Sequence, residues 1–180
     1  MQNHFITNYI TPCVQKLYSD DPTLFAHNLS ERCISFRFAH YLQNQFDDLA
    51  EYNVFVDCDY NSHIIFEDGE WKRRHGKPLR DRDENNNSEK VTGRFIDIIV
   101  HKRAENENPD SWSDLICFEL KKWNNHTSDR NEKDRNNLER LTTDFGYQYG
   151  FHLIFGRTIE GVTIEVFENG TSAGEPIYLF

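Results

Sequence analysis

Two apolar segments, GRFIDIIVH (Gly93 to His101) and LICFELK (Leu115 to Lys121), do most to limit what this chain can fold into. Both read as strands, rich in β-branched and aromatic residues. Both also interrupt their apolar run with ionisable side chains. Alternation along the first puts Asp97 on one face with Phe95 and Ile99, and turns Ile96, Ile98 and Val100 to the other. In the second, Ile116, Phe118 and Leu120 share a face, while Glu119 and Lys121 stand side by side on the opposite one. An ionised carboxylate inside such a strand is costly unless it is paired or binds a metal. If the two strands are neighbours, Asp97 and Glu119 approach to within one strand spacing, about 4.8 Å. Two carboxylates then share one divalent ion with a lysine beside it, and such hard oxygen ligands select Mg2+ or Mn2+. An ion there lowers the pKa of a bound water and neutralises charge on a phosphate, and the Lys121 ammonium orients that water or stabilises the transition state. Periodicity alone leaves a second outcome open, a cross-strand salt bridge among the same three residues.

The rest of the chain supplies helices and further strands. Ile6, Ile10, Val14 and Leu17 recur at helical spacing, with Pro12 expected to kink or restart the helix. A second helix is predicted from about Leu29 to Phe46, with Ile34, Phe38, Leu42 and Phe46 on one face and Asn28 and Glu31 as a capping pair at its start. Glu31 also lies near that buried face, which leaves a role at the metal site open. Val54 to Tyr60 reads as a strand, ending in a polar group of Asp57, Asp59, Tyr60 and Asn61 that suits a substrate contact or a solvated strand end. Glu67 to Lys90 loses apolar periodicity and is predicted to be a long, mobile loop. Ala104 to Ser113 is a polar turn region, Asp129 to Phe145 a helix, and Gly150 to Phe155 and Val162 to Phe167 two more strands. The order predicts an α/β fold, a mixed central sheet flanked by helices with a crossover helix between the third and fourth strands.

Charge is distributed unevenly. The formal net charge is −10, which opposes a broad nucleic-acid-binding face. Against it stands one strongly basic stretch, Trp71 to Arg82, which contains Lys72, Arg73, Arg74 and Lys77 and reads either as a phosphate-contacting, base-stacking loop or as a solvated surface segment. Lys122 and Trp123 are further candidates for substrate contact, and Lys133, Arg135 and Arg140 are expected to face solvent. Cys13, Cys33, Cys58 and Cys117 form no CxxC pair, so free thiols in a reducing cytoplasm are expected rather than a zinc site or a disulfide framework. The chain has no apolar run near the roughly 20 residues that span a bilayer, and its first residues do not read as a signal peptide. No histidine set with zinc spacing, Gly-rich phosphate loop or GxSxG nucleophile turn is present.

With Glu31 on a helix, Asp97 in one apolar strand and Glu119-Leu120-Lys121 ending the next, the chain resembles the PD-(D/E)XK nuclease superfamily over about Leu29 to Gly156. The segments VFVDCDYN, RFIDIIVHKR and ICFELKKWNN look closest to small stand-alone bacterial members of unassigned function. The resemblance implies a restriction-endonuclease-like core (helix, three strands, helix, strand) within one domain over 1–180, with an N-terminal helical extension (1–28) and a C-terminal strand extension (157–180). It also implies that Asp97, Glu119 and Lys121 match the D…(D/E)xK triad, and that Glu31 matches an acidic residue several members carry on the first core helix. Ile96 stands where the motif's name has proline. The expected activity is Mg2+- or Mn2+-dependent hydrolysis of phosphodiester bonds in nucleic acid, with DNA the expected substrate and a homodimer as one arrangement for cutting both strands. The alternative is a catalytically inactive binding or interaction module that keeps the fold.

Overall fold

Ile6, Ile10, Val14 and Leu17 are all buried, so the helical spacing at the start of the chain marks a core-facing stripe. This is seen in a computed structural model, which describes residues 2–47, 53–60, 62–67, 70–75, 78–81, 90–93, 95–102, 113–125 and 127–180, with only the backbone of the strands between 62 and 93. Helix α1 (Gln2–Phe5) runs through one π-type turn (Ile6–Ile10) into α2 (Thr11–Asp20), where Thr11 N–H donates to the Ile6 carbonyl. Pro12 falls in the first turn of α2, directly after the π-type turn, in a helix that Ile10 and Thr11 carry through with right-handed helical angles. The helix neither stops nor restarts at Pro12, and a π-type turn precedes it instead. A short α3 (Thr23–Ala26) precedes α4 (Glu31–Asp47). Ile34, Phe38, Leu42 and Phe46 of α4 are buried.

The start of α4 differs from the expected Asn28–Glu31 capping pair. Ser30 is the cap: its Oγ accepts the Cys33 N–H at 3.3 Å, the bond that an N-cap hydroxyl makes. Asn28 instead turns the chain with φ at 50°, a left-handed conformation that Asn tolerates better than most residues.

Strand β1 (Val54–Tyr60) is followed by four strands, two of which, Glu70–His75 and Pro78–Asp81, fall within the predicted long loop. β2 (Ser62–Glu67) pairs with β3 (Glu70–His75), and β4 (Pro78–Asp81) with β5 (Lys90–Gly93), each pair antiparallel. Glu67 opposes Glu70, so two residues separate the first pair. In the sequence these are Asp-Gly, a strong short-range hairpin signal that apolar periodicity misses.

β6 (Ile96–Lys102) and β7 (Ser113–Lys122) then complete an antiparallel run with β1. Helix α5 (Ser128–Asp144) crosses to β8 (Tyr149–Phe155), which lies parallel to β7. This is the expected crossover between third and fourth strands. β9 (Thr163–Glu168) pairs antiparallel with β8, and β10 (Thr171–Ser172) and β11 (Ile177–Tyr178) both pair with β9. The result is a seven-stranded mixed sheet in the order β1-β6-β7-β8-β9-β10, with β11 also on β9.

Period-two alternation sorts the sheet between two cores. Ile98, Val100, Phe118, Leu120, Phe151 and Leu153 face the N-terminal helices. Ile99, Cys117 and Phe167 face α5, where they meet Leu138 and Leu141. Ile96 joins this second cluster and so departs from the alternation that pairs it with Ile98. Among the described residues no helix is long and apolar enough to cross a membrane.

Phe38 is fully buried, with its ring edge-on to Phe118 at 5.7 Å and to Phe155 at 6.0 Å. Phe38→Ala is expected to cost about 3–5 kcal/mol, the usual range for a buried aromatic that leaves a cavity. Chemical denaturation of the two proteins checks this.

Candidate functional site

The ladder between β6 and β7 pairs Ile98 with Phe118. That ladder runs no further than this pair, and beyond it Asp97 lies close enough for its charge to act on Glu119. Here the pairing changes character: Asp97 Oδ2 accepts the Leu120 N–H at 2.8 Å, so a side chain takes over from the backbone at the start of β6. Glu119, only 5 % exposed, accepts the Asn137 amide of α5 at 3.3 Å. Lys121 Nζ lies 2.8 Å from Asp134 Oδ2 and 3.7 Å from Glu31 Oε1. The three residues expected to form the triad therefore stand together under the N-terminal half of α5.

Glu31 joins them from the opposite side of the sheet. Its Oε2 accepts the backbone N–H of Lys122 at 3.2 Å and the amide of Asn125 at 3.3 Å, so its carboxylate binds the end of β7 and does not cap its own helix.

The polar row continues across the sheet. Glu119 lies beside His152 of β8, and His152 opposes Glu165 of β9. His152 and Glu165 are both buried. His152 Nε2 is 3.9 Å from Asp134, and Glu165 is held by Arg135 at 2.7 Å and Ser172 at 2.8 Å. Arg135 is exposed, as expected, and also ties α5 to β9. Asp134, Asn137 and His152 were not among the residues singled out from the sequence. The first two carry a readable signal, since they sit four residues before Leu138 and Leu141, polar groups on the helix's apolar face. His152 has none until its strand is known to run parallel to β7.

Electrostatics follow from burial. Desolvation, set against the Leu120 hydrogen bond and the Lys121 charge, pushes the Asp97 carboxyl up to about 6. Desolvation and then the charge of Asp97 push Glu119 well above the usual carboxylate range. Burial also works against the Lys121 ammonium, but its hydrogen bond to Asp134 and the surrounding carboxylates outweigh this and raise its pKa.

The other expected contacts lie elsewhere. Lys122 is 5 % exposed, and its Nζ donates to Asn28 Oδ1 at 2.9 Å and to the Leu29 carbonyl at 2.7 Å. It fastens the loop before α4 and presents no ammonium to a nucleic acid. Trp123 packs partly buried against the helical core. Lys72, Arg73 and Arg74 lie on β3, paired with Ile65, Ile64 and His63 of β2, and Lys77 lies outside the described residues. Asp57 pairs with His101 at 2.8 Å, and Asp59 lies 3.8 Å from Arg32. No family model, curated protein or solved structure matches the chain.

Among the described residues no group of three or more His, Cys, Asp or Glu side chains could hold a metal. Asp97 and Glu119 are two carboxylates, the number with which Mg2+ is often held when waters and phosphate oxygens complete its shell. Their raised pKa values express a repulsion and desolvation that a cation relieves.

The same shifts set a pH dependence. Asp97 rises from 3.8 to about 6, so between about pH 4 and pH 6 the folded chain binds more protons than the unfolded one. Stability therefore falls as pH climbs through that window, and the loss persists above it. Glu119 acts with the same sign. In chelator at pH 7, Asp97→Asn is expected to melt higher than wild type, by at most about 3 kcal/mol, with the difference shrinking towards pH 4. Thermal melts of both proteins across that range check this.

Proposed function

We propose that this chain is a metal-dependent phosphodiesterase acting on nucleic acid, in the manner of a PD-(D/E)XK nuclease with a restriction-endonuclease-like core. The observation that carries this is the hydrogen bond from the Leu120 N–H of β7 to Asp97 of β6, beside Glu119, with Lys121 anchored by Asp134. The order α4, β1, β6, β7, α5, β8, with three antiparallel strands and a fourth parallel to the third, supports the same reading. DNA is the expected substrate.

In this proposal Asp97 and Glu119 hold Mg2+ or Mn2+, which when bound supplies Lewis acidity and a water of lowered pKa. The Lys121 ammonium, kept charged by Asp134, orients the attacking water and offsets negative charge as the new P–O bond forms and the old one breaks. Glu31 braces the end of β7 and completes the carboxylate field around Lys121. Positive charge for the substrate backbone comes from β3. The insertion that carries it leaves β1 after Tyr60 and returns at Ile96, two residues paired with each other at the site's end of the sheet.

Three outcomes test this. Wild type is expected to cleave oligonucleotides with Mg2+ or Mn2+, and Lys121→Ala to lose at least about 100-fold in rate, in the range of one general acid–base or oxyanion-type contribution. A wild type that cleaves nothing across DNA and RNA substrates favours the inactive binding module instead. Mg2+ should raise the melting temperature of wild type but not of Asp97→Asn, because a ligand stabilises only the form that binds it. Replacing Lys72, Arg73 and Arg74 with alanine should weaken DNA binding and flatten its salt dependence by up to about 3 in slope. An unchanged slope removes β3 from the interface.

A further inference from the structure

Two phenylalanines stand in water beside the site. Phe36 is 68 % exposed and Phe95 is 63 % exposed. Phe36 belongs to α4 but lies off the stripe of Ile34, Phe38 and Leu42 that the helix buries. Phe95 immediately precedes β6, two residues before Asp97. Their rings contribute little to the core, yet both line one cleft of about 270 Å³ together with Glu31, Arg32, Asp59 and Asp97.

We propose that this cleft receives an unpaired nucleotide, and that the substrate is single-stranded nucleic acid or an unpaired segment, with Phe36 and Phe95 stacking on bases next to the scissile phosphate. This rests on the phosphodiesterase reading, whose carboxylate Asp97 it shares. Three features carry it. The cleft lies just below the roughly 300–1,000 Å³ of ordinary small-molecule sites, so it has room for about one nucleotide and none for a duplex. Its walls hold three carboxylates, Glu31, Asp59 and Asp97, against one guanidinium, Arg32, so they cannot grip a polyanion through charge alone. The faces of the bases are neutral and stack on aromatic rings without regard to sequence. In a duplex those faces are stacked against each other; an unpaired strand offers them. Arg32, 3.8 Å from Asp59, adds a planar cation on the same wall that can stack as well.

The test measures binding of short phosphorothioate oligonucleotides, which resist hydrolysis, by fluorescence anisotropy with Mg2+. A single strand of DNA, the same strand as RNA, and a blunt duplex are compared. Wild type is expected to bind at least one single strand roughly tenfold more tightly than duplex. Phe36→Ala and Phe95→Ala should each weaken single-strand binding by roughly tenfold and leave duplex binding and the melting temperature unchanged, because both rings are outside the core. Phe36→Trp and Phe95→Trp should retain binding, with indole fluorescence quenched when the single strand is added. Equal or tighter duplex binding, alanine variants indistinguishable from wild type, or no binding to any of the three overturns the proposal. Cleavage is scored separately. Ring-dependent binding without cleavage sinks the phosphodiesterase reading alone, and cleavage of duplex that ignores both alanine variants sinks this one alone.

Discussion

Negative charge exceeds positive charge where β6 begins beside the end of β7, and that imbalance shapes everything around it. Glu31, Asp97, Glu119 and Asp134 all act on the ammonium of Lys121. One lysine cannot neutralise four carboxylates, and three of the four, Asp97, Glu119 and Asp134, sit where burial is expensive. The fold answers in part with neutral donors: the Leu120 N–H to Asp97 and the Asn137 amide to Glu119. It answers in part with protons, which is the physical content of the raised pKa values of those two residues. Under the proposed function a divalent cation is a third. Plain cross-strand pairing among Asp97, Glu119 and Lys121 would have left these carboxyls near or below their ordinary values, and would have aimed the lysine at them. Its shortest contact is with Asp134 instead.

Helix α5 makes this arrangement tolerable because its inner face changes character along its length. Leu138 and Leu141 meet Ile99, Cys117, Tyr147 and Phe167 in an apolar seal. One turn earlier, Asp134 and Asn137 meet Lys121 and Glu119, and Arg135 reaches Glu165. A single helix thus closes a core at one end and supplies the polar partners of a site at the other. The stability of the sheet and the geometry of the site are consequently one interface. A change that shifts α5 along β8 would expose buried carboxylates as well as hydrocarbon, and an uncompensated buried charge is the costlier of the two.

The sheet and its site could be read from the sequence wherever local pattern decides position. Apolar strands broken by Asp97, Glu119 and Lys121 declared both a sheet and a polar face, and the helical length between Lys121 and Gly150 implied the parallel crossover. What the pattern could not carry was contact between elements distant in sequence. Lys122 follows the triad and looks like an extra cation for substrate, but the end of β7 directs it across the sheet to Asn28 and Leu29. Glu31 and Asn28 have the spacing of a capping pair, but Ser30 makes the cap, and the freed carboxylate and amide tie down β7 and the turn after it. The stretch after Glu67 was misread as loop because its hairpins are marked by turn chemistry, Asp68-Gly69 in particular, and not by alternating hydrophobicity.

Net charge is a poor guide to what the cleft can bind, because range matters. At physiological ionic strength the Debye length is about 8 Å, so most of the 30 acidic side chains have little influence on a phosphate already seated at Asp97. What the net charge of −10 does affect is approach, since an acidic surface slows the encounter with a polyanion and favours no broad docking face. Under the proposed function, affinity must then come from contacts that act within a few ångströms: a cation bridging carboxylate and phosphate, the basic side chains of β3, and aromatic rings on base faces. All three are insensitive to the charge of the far surface, and two of them require the substrate to offer a free phosphate edge and an unstacked base. On that proposal an acidic protein of this design would give up long-range capture of duplex, and its selectivity would shift towards strands that are already open.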